Sequence, residues 1–146
     1  MQVNRANFPN GEKPMKILVA EDDPIVRSLL ATVLTGWGYE VLLASDGNEA
    51  WLALQSEGAP RLALLDWMMP GMHGSELCRK LRRLEAEEPR TYIILLTAHE
   101  WQDMETGADD YLFKPFKYSE LRARLHAGRR TIEIQEKTGN GSIKNA

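Results

Sequence analysis

Five short apolar runs alternate along the chain with segments in which apolar residues recur at helical spacing. Each run is apolar on both faces, which is typical of parallel strands that helices cover on both sides. This alternation predicts an α/β fold, with a doubly wound five-stranded parallel sheet and helices on both faces. The runs that predict the strands are 17–20, 39–44, 62–65, 92–97 and 111–113.

Two of the predicted helices carry start signals. Asp23 is placed to cap the helix after the first run, and Pro24 suits the first turn of that helix. Asp46 and Glu49 have the spacing of a capping box. These signals predict helix starts directly after the first and second strands.

The chain has 146 residues, enough for one compact domain with a hydrophobic core and too few for two. We expect residues 1–14 to form a flexible leader and residues 15–130 to form the domain. Residues 131–146 are expected to contain the end of the last helix and a polar tail that frays from Thr138.

Composition argues against several classes of protein. The formal net charge of −3 gives no overall attraction to nucleic acid or to an anionic membrane. No apolar run approaches the roughly 18 residues needed to cross a bilayer. The single cysteine, Cys78, cannot form a disulfide within the chain and is expected to be structural. We therefore expect a cytoplasmic protein with no membrane contact and no direct nucleic acid binding.

Polar side chains stand where the predicted strands end. Glu21 and Asp22 follow the first strand, Asp66 ends the third, Thr97 ends the fourth and Lys114 follows the fifth. Parallel strands bring these residues to one edge of the sheet, where carboxylates repel one another unless a cation joins them. Carboxylate oxygens suit Mg²⁺, and the hydroxyl and ammonium groups suit an anion bound against that metal. The pattern predicts a site that places a phosphoryl group on Asp66.

Four stretches of the chain, in order, resemble the signatures of the response-regulator receiver domains of two-component signalling, the CheY-like superfamily. They are 17–24 (ILVAEDDP), 66–74 (DWMMPGMHG), 96–98 (LTA) and 107–116 (GADDYLFKPF). The resemblance covers residues 15–130 and implies a flavodoxin-like fold of the receiver type.

The resemblance also implies roles for individual residues. Asp66 would be the phosphoacceptor, with Thr97 hydrogen-bonded to the phosphoryl group and Lys114 paired with it. Tyr111 would be an aromatic switch that turns inward when Thr97 moves. Mg²⁺ would be held by Glu21, Asp22, Asp66 and the backbone carbonyl of Met68. The bond from Lys114 to Pro115 would be cis.

By the same resemblance, Asp66 would receive its phosphoryl group, with Mg²⁺, from a sensor histidine kinase or a histidine phosphotransfer protein, and a partner-binding surface would switch in response. The chain would be no enzyme beyond its own phosphorylation and dephosphorylation. It would stand alone or be a fragment of a longer regulator with an output domain such as a diguanylate cyclase; a binding-only receiver is a further alternative.

Two other classes are less favoured by the residues. An aspartate-nucleophile phosphohydrolase usually carries a second carboxylate two positions after the nucleophile, where this chain has Met68. A flavodoxin-like FMN binder needs a phosphate-binding loop after the first strand, where the acidic residues 21–23 would repel phosphate.

The chain departs from the family pattern before the fifth strand. Only residues 99–106 separate Thr97-Ala98 from Gly107, which predicts a shortened fourth helix of one to two turns. We therefore predict that this protein does not use the usual dimer formed by the fourth helix, fifth strand and fifth helix, or uses a modified version of it. Met68 and His99 occupy positions that tune dephosphorylation in the family, and the apolar Met68 predicts a long-lived phosphoryl group. The arginines of the last helix, 122, 124, 129 and 130, are read as a solvated face.

Overall fold

The computed structural model describes residues 2–4, 13–85, 90–98 and 105–145, with side chains for 13–85, 90–98 and 105–137. Helices and strands alternate along the described chain, as the sequence predicts. They are β1 (Gln2–Asn4), β2 (Lys16–Ala20), α1 (Pro24–Gly36), β3 (Glu40–Ala44), α2 (Gly47–Gln55), β4 (Leu62–Asp66), α3 (Gly74–Leu84), β5 (Tyr92–Thr97), β6 (Asp110–Phe113) and α4 (Tyr118–Asn145). The predicted short fourth helix falls largely on residues outside the described ranges.

The sheet has the order β1-β3-β2-β4-β5-β6. Strands β2 to β6 pair in parallel and form the predicted five-stranded sheet. Strand β1 adds a sixth strand, which pairs antiparallel with β3 and sets Val3 opposite Leu42. The expectation that residues 1–14 form a flexible leader is therefore wrong at residues 2–4, because the outer edge of β3 offers backbone donors and acceptors that β1 satisfies.

Two hydrophobic clusters cover the two faces of the sheet. Along β2, Ile17 and Val19 belong to the cluster packed under α1 and α4, whereas Leu18 and Ala20 belong to the cluster packed under α2 and α3. All four side chains are fully buried. Their alternation follows from the two-residue period of a strand and explains why the run is apolar at every position.

The predicted caps form at both helix starts. Asp23 Oδ1 accepts the backbone N–H groups of Ile25 at 2.9 Å and Val26 at 3.4 Å. Asp46 Oδ1 accepts the N–H of Glu49 at 2.8 Å. Each cap satisfies donors at the first turn that have no partner within the helix, and it fixes where the strand-end loop turns into the helix.

Helix α4 runs to Asn145, so the predicted fraying from Thr138 is wrong. Contacts with the sheet and with Arg61 keep this helix packed as far as Gln135. Gly128 lies so close to β5 that a Cβ would stand 2.7 Å from the Tyr92 ring, and Ile132 is 1% exposed. Arg61, just before β4, donates to Gln135 Oε1 at 2.8 Å. No helix in the described part of the chain is long and apolar enough to cross a membrane.

Cys78 is fully buried on α3, and burial raises the pKa of its thiol to about 11. We expect the folded protein to resist thiol-specific reagents at pH 8, because only the thiolate reacts and the group is inaccessible. Reaction followed by mass spectrometry in buffer and in strong denaturant would measure this. Rapid labelling of the folded chain would contradict the expectation, since denaturant should be needed to expose the thiol.

Candidate functional site

The carboxyl ends of the central strands meet at one edge of the sheet, as the parallel topology requires. Asp66 is the last residue of β4 and Thr97 the last of β5, while Glu21 and Lys114 directly follow β2 and β6. The backbone N–H of Lys114 donates to the Thr97 carbonyl at 2.8 Å, which ties the last two strand ends together. The Lys114–Pro115 bond is cis, as the resemblance implies.

Lys114 is the cation at the centre of this edge. Its Nζ lies 2.9 Å from Asp66 Oδ1 and 3.5 Å from Glu21 Oε2. The Asp66 side chain is only 9% exposed and that of Glu21 only 3%, whereas that of Lys114 is 32% exposed. One ammonium group thus faces two largely buried carboxylates and remains accessible from solvent.

Carboxylate oxygens of Glu21, Asp22 and Asp66 all lie within 4.8 Å of one another. Asp22 is exposed at the rim, while the other two are buried. Glu21 Oε2 is buried and accepts no hydrogen bond from the described residues, although Lys114 Nζ lies 3.5 Å away. A cation would satisfy this oxygen, and a set of hard oxygen ligands beside a solvent opening fits Mg²⁺. The three side chains that the sequence predicts as ligands are therefore close enough to share one ion.

The pKa values at this edge reflect burial first and the charges of neighbouring groups second. Burial raises the pKa of Asp66, and Lys114 opposes that shift by its hydrogen bond and charge. Burial also raises the pKa of Glu21, and the nearby Asp66 charge raises it further. Burial lowers the pKa of Lys114, but the bond to Asp66 and both acidic charges outweigh burial, so the net shift is upward. A second cation would relieve this repulsion.

Glycine lets the start of α3 close against the end of β4. The N–H of Gly74 donates to the Trp67 carbonyl at 2.9 Å. A Cβ on Gly74 would overlap the carbonyl oxygen of Asp66. Gly71, in the turn between Asp66 and Gly74, has φ +81°, a backbone conformation that residues with a side chain rarely adopt. The backbone that carries Asp66 is thus held by contacts that only glycine permits.

Arg27 is a site residue that the sequence analysis missed. Its Nη1 donates to the carbonyls of Glu21 at 2.8 Å and Asp22 at 3.4 Å, which holds the backbone of the acidic pair against α1. The sequence shows only an arginine in the first turn of a predicted helix, and such a residue usually points into solvent. No spacing rule indicates that its side chain turns back to the preceding loop.

The remaining predicted site residues differ in their surroundings. Thr97 is 1% exposed, and Met68, two positions beyond Asp66, is 57% exposed. Tyr111 is half-buried, and its hydroxyl lies 2.6 Å from that of Thr106. His99 lies outside the described residues. The roles assigned to these residues remain predictions.

The chain belongs to the response regulator receiver domain family, whose model matches residues 17–126. The phosphate regulon transcriptional regulatory protein PhoB of Rhizobium meliloti strain 1021 is 45% identical over 117 residues, which are 77% of this chain and 51% of that protein. This chain therefore spans about half the length of the curated relatives it matches.

Solved receiver domains share the fold. The receiver domain of the Francisella response regulator 1452 has a TM-score of 0.72 and 32% identity, covering 82% of this chain and 99% of that one. The receiver domain of the sensor histidine kinase PA1611 from Pseudomonas aeruginosa PAO1 has a TM-score of 0.68 and 31% identity, covering 80% and 98%. That structure has a magnesium ion coordinated in its active site cleft.

Proposed function

We propose that this chain is a phosphoacceptor that receives a phosphoryl group on Asp66 from the phosphohistidine of a sensor histidine kinase or histidine phosphotransfer protein. The observation that carries the proposal is the geometry at Asp66. Its nearly buried carboxylate lies 2.9 Å from Lys114 Nζ and shares one end of the sheet with Glu21 and Asp22. We expect the chain to act in the cytoplasm and to catalyse only its own phosphorylation and dephosphorylation.

In the proposed reaction, an Asp66 carboxylate oxygen attacks the phosphorus atom. The phosphorus–nitrogen bond to the donor histidine breaks, and its electron pair stays on the histidine nitrogen. Lys114 leaves its ion pair with the carboxylate and pairs with a phosphoryl oxygen, while the Thr97 hydroxyl donates to another. Mg²⁺ would supply further positive charge, held by Glu21, Asp22, Asp66 and the Met68 carbonyl.

An apolar groove beside Lys114 suits the approach of the phosphodonor. It has a volume of about 450 Å³ and lies between α1 and the loop that leads from β6 to α4. Leu29, on its wall, is 52% exposed, and Lys114 itself lines the groove. A donor helix seated there would bring a phosphohistidine close to Asp66. We propose this groove as the docking surface for the histidine-bearing partner.

The output surface is proposed on the outer face of β6 and α4. Asp110 and Arg124 form an ion pair on that face, with Arg124 Nη1 3.2 Å from both carboxylate oxygens. The charges of Asp110 and Arg124 are therefore paired with each other within one chain. The absence or modification of the usual dimer of this face remains a prediction, because residues 99–104 lie outside the described ranges.

Mapping the modified residue tests the proposed function. We would incubate the protein with acetyl phosphate and Mg²⁺, reduce it with borohydride, and search by mass spectrometry for aspartate converted to homoserine, the product of an acyl phosphate. We expect conversion at Asp66 with Mg²⁺ and none after chelation. Conversion at another carboxylate would contradict the assignment. No conversion in a protein that circular dichroism shows to be folded would favour a binding-only receiver.

A further inference from the structure

The loop that leads into β6, residues 105–109, is bonded to α3 by arginine side chains. Arg82 Nε donates to the carbonyl of Gly107 at 2.8 Å, and its Nη2 lies 2.7 Å from Asp109 Oδ2. The Arg82 side chain is only 14% exposed and that of Asp109 only 12%, so this charge-assisted pair is largely shielded from solvent, whereas the bond to the Gly107 carbonyl is exposed. Arg79 Nε donates to the Glu105 carbonyl at 3.4 Å. The loop therefore has a fixed position relative to α3.

Thr106 lies inside this fastened loop and is 2% exposed. Its Oγ1 accepts the backbone N–H of Ala108 at 3.1 Å and lies 2.6 Å from the Tyr111 hydroxyl. A hydroxyl has one donor and two acceptor positions, so both bonds form at once. The Tyr111 ring packs against the hydrophobic cluster under α2 and α3. Tyr111 is thus held in a packed orientation by a residue whose two chain neighbours, Glu105 and Gly107, are bonded to α3.

The bond gives Tyr111 a source of stabilisation other than the site at Asp66. Tyr111 of β6 pairs with Leu95 of β5, two residues before the site residue Thr97. A shift of Thr97 would reach Tyr111 along β5, whereas the Thr106 bond reaches it from the loop that precedes β6. The two influences are therefore separable by mutation.

We propose that Thr106 is a positioning residue that holds Tyr111 in its packed orientation. As far as it concerns a response to phosphorylation, the proposal rests on the proposed function of Asp66. In the wild type, the packed orientation dominates before modification, so modification of Asp66 changes Tyr111 little. Without the Thr106 hydroxyl, the packed orientation is less populated before modification, so modification of Asp66 produces a larger change at Tyr111.

Tyrosine-ring NMR tests this on the full chain labelled with ¹³C in the tyrosine rings, the Tyr111 signal being assigned from Tyr111→Phe. In the absence of any phosphoryl analogue, we expect Thr106→Val to move the ratio of exposed to packed Tyr111 by about 3- to 10-fold, the effect of losing one neutral hydrogen bond. Thr106→Ser keeps the hydroxyl and should retain the wild-type signal. A Tyr111 signal in Thr106→Val that coincides with the wild type would overturn the proposal.

A second arm adds Mg²⁺ and beryllofluoride, with ¹⁹F NMR of bound beryllofluoride as the measure of uptake. We expect a small change at Tyr111 in the wild type and a larger one in Thr106→Val. Equal changes in the two proteins would contradict the proposal. Absence of bound beryllofluoride in both would count against the function proposed for Asp66, while the first comparison would still decide the role of Thr106. If Thr106→Val does not fold, the NMR signal of the Thr106 methyl group is compared between the wild type and Tyr111→Phe. Loss of the tyrosine hydroxyl should shift this signal if the bond forms. An unchanged signal would refute the proposal.

Discussion

Replacing Lys114 by methionine is expected to slow phosphorylation by acetyl phosphate by about 100- to 1,000-fold, the cost of removing one charge-stabilising donor from a reacting centre. Lys114 Nζ is 2.9 Å from the carboxylate of Asp66, the proposed nucleophile. Its ammonium group is therefore placed to stabilise the negative charge that would develop on the transferred phosphoryl group. The same change should tighten Mg²⁺ binding, because three carboxylates would then share one cation fewer. A slower reaction with tighter metal binding is the result that a direct electrostatic role requires.

The measurements are the rate of acyl phosphate formation and the Mg²⁺ dissociation constant from tryptophan fluorescence. Lys117→Met is the matched control, since Lys117 is exposed and stands three positions later in the same segment. That control should match the wild type in both measurements. Weaker Mg²⁺ binding in Lys114→Met would indicate a collapsed site and would count against the proposed role.

Gly74→Ala is expected to lower the free energy of unfolding by about 3 kcal/mol, the upper end of the range for overpacking. The added Cβ overlaps the carbonyl oxygen of Asp66, and strand β4 is buried at every position, so neither partner has room to move. Because Asp66 carries both the strain and the proposed chemistry, the loss of stability should come with weaker Mg²⁺ binding.

Urea unfolding followed by circular dichroism would measure this effect. Gly36→Ala is the control, because a Cβ there meets no described atom within 4 Å and the residue is not in the left-handed region. Alanine at position 36 should be neutral or stabilising by its helix propensity. Equal unfolding midpoints for Gly74→Ala and the wild type would show that the turn after β4 relaxes freely.

The sequence predicted the centre of the site because the rule that locates it is topological. Once five strands run parallel, the residues at their carboxyl ends must meet, so Glu21, Asp66 and Lys114 could be grouped before any coordinates. Which atoms pair is a finer matter. The short distance from Lys114 to Asp66, rather than to Asp22, depends on side-chain packing that no spacing encodes.

What the sequence did not predict lies where distant segments decide local structure. Residues 2–4 have no strand periodicity of their own, and they pair because β3 has an open edge. The glycines at 139 and 141 predict a helix end, yet α4 continues through them. The bond from Thr106 to Tyr111 depends on a loop fixed by Arg82, which is 24 positions earlier than Thr106 in the chain.

The anchoring of α4 at Arg61 bears on any fusion made through this helix. Arg61 directly precedes β4, so the helix is attached to the foot of the strand whose other end carries Asp66. At about 1.5 Å and 100° per residue, the 28 residues of α4 form a rod of about 42 Å with a definite rotational phase. A reporter joined beyond Gln135 would turn by about 100° about the helix axis for each helical residue inserted. Linker length, as much as linker composition, would therefore set which side of the reporter faces the receiver.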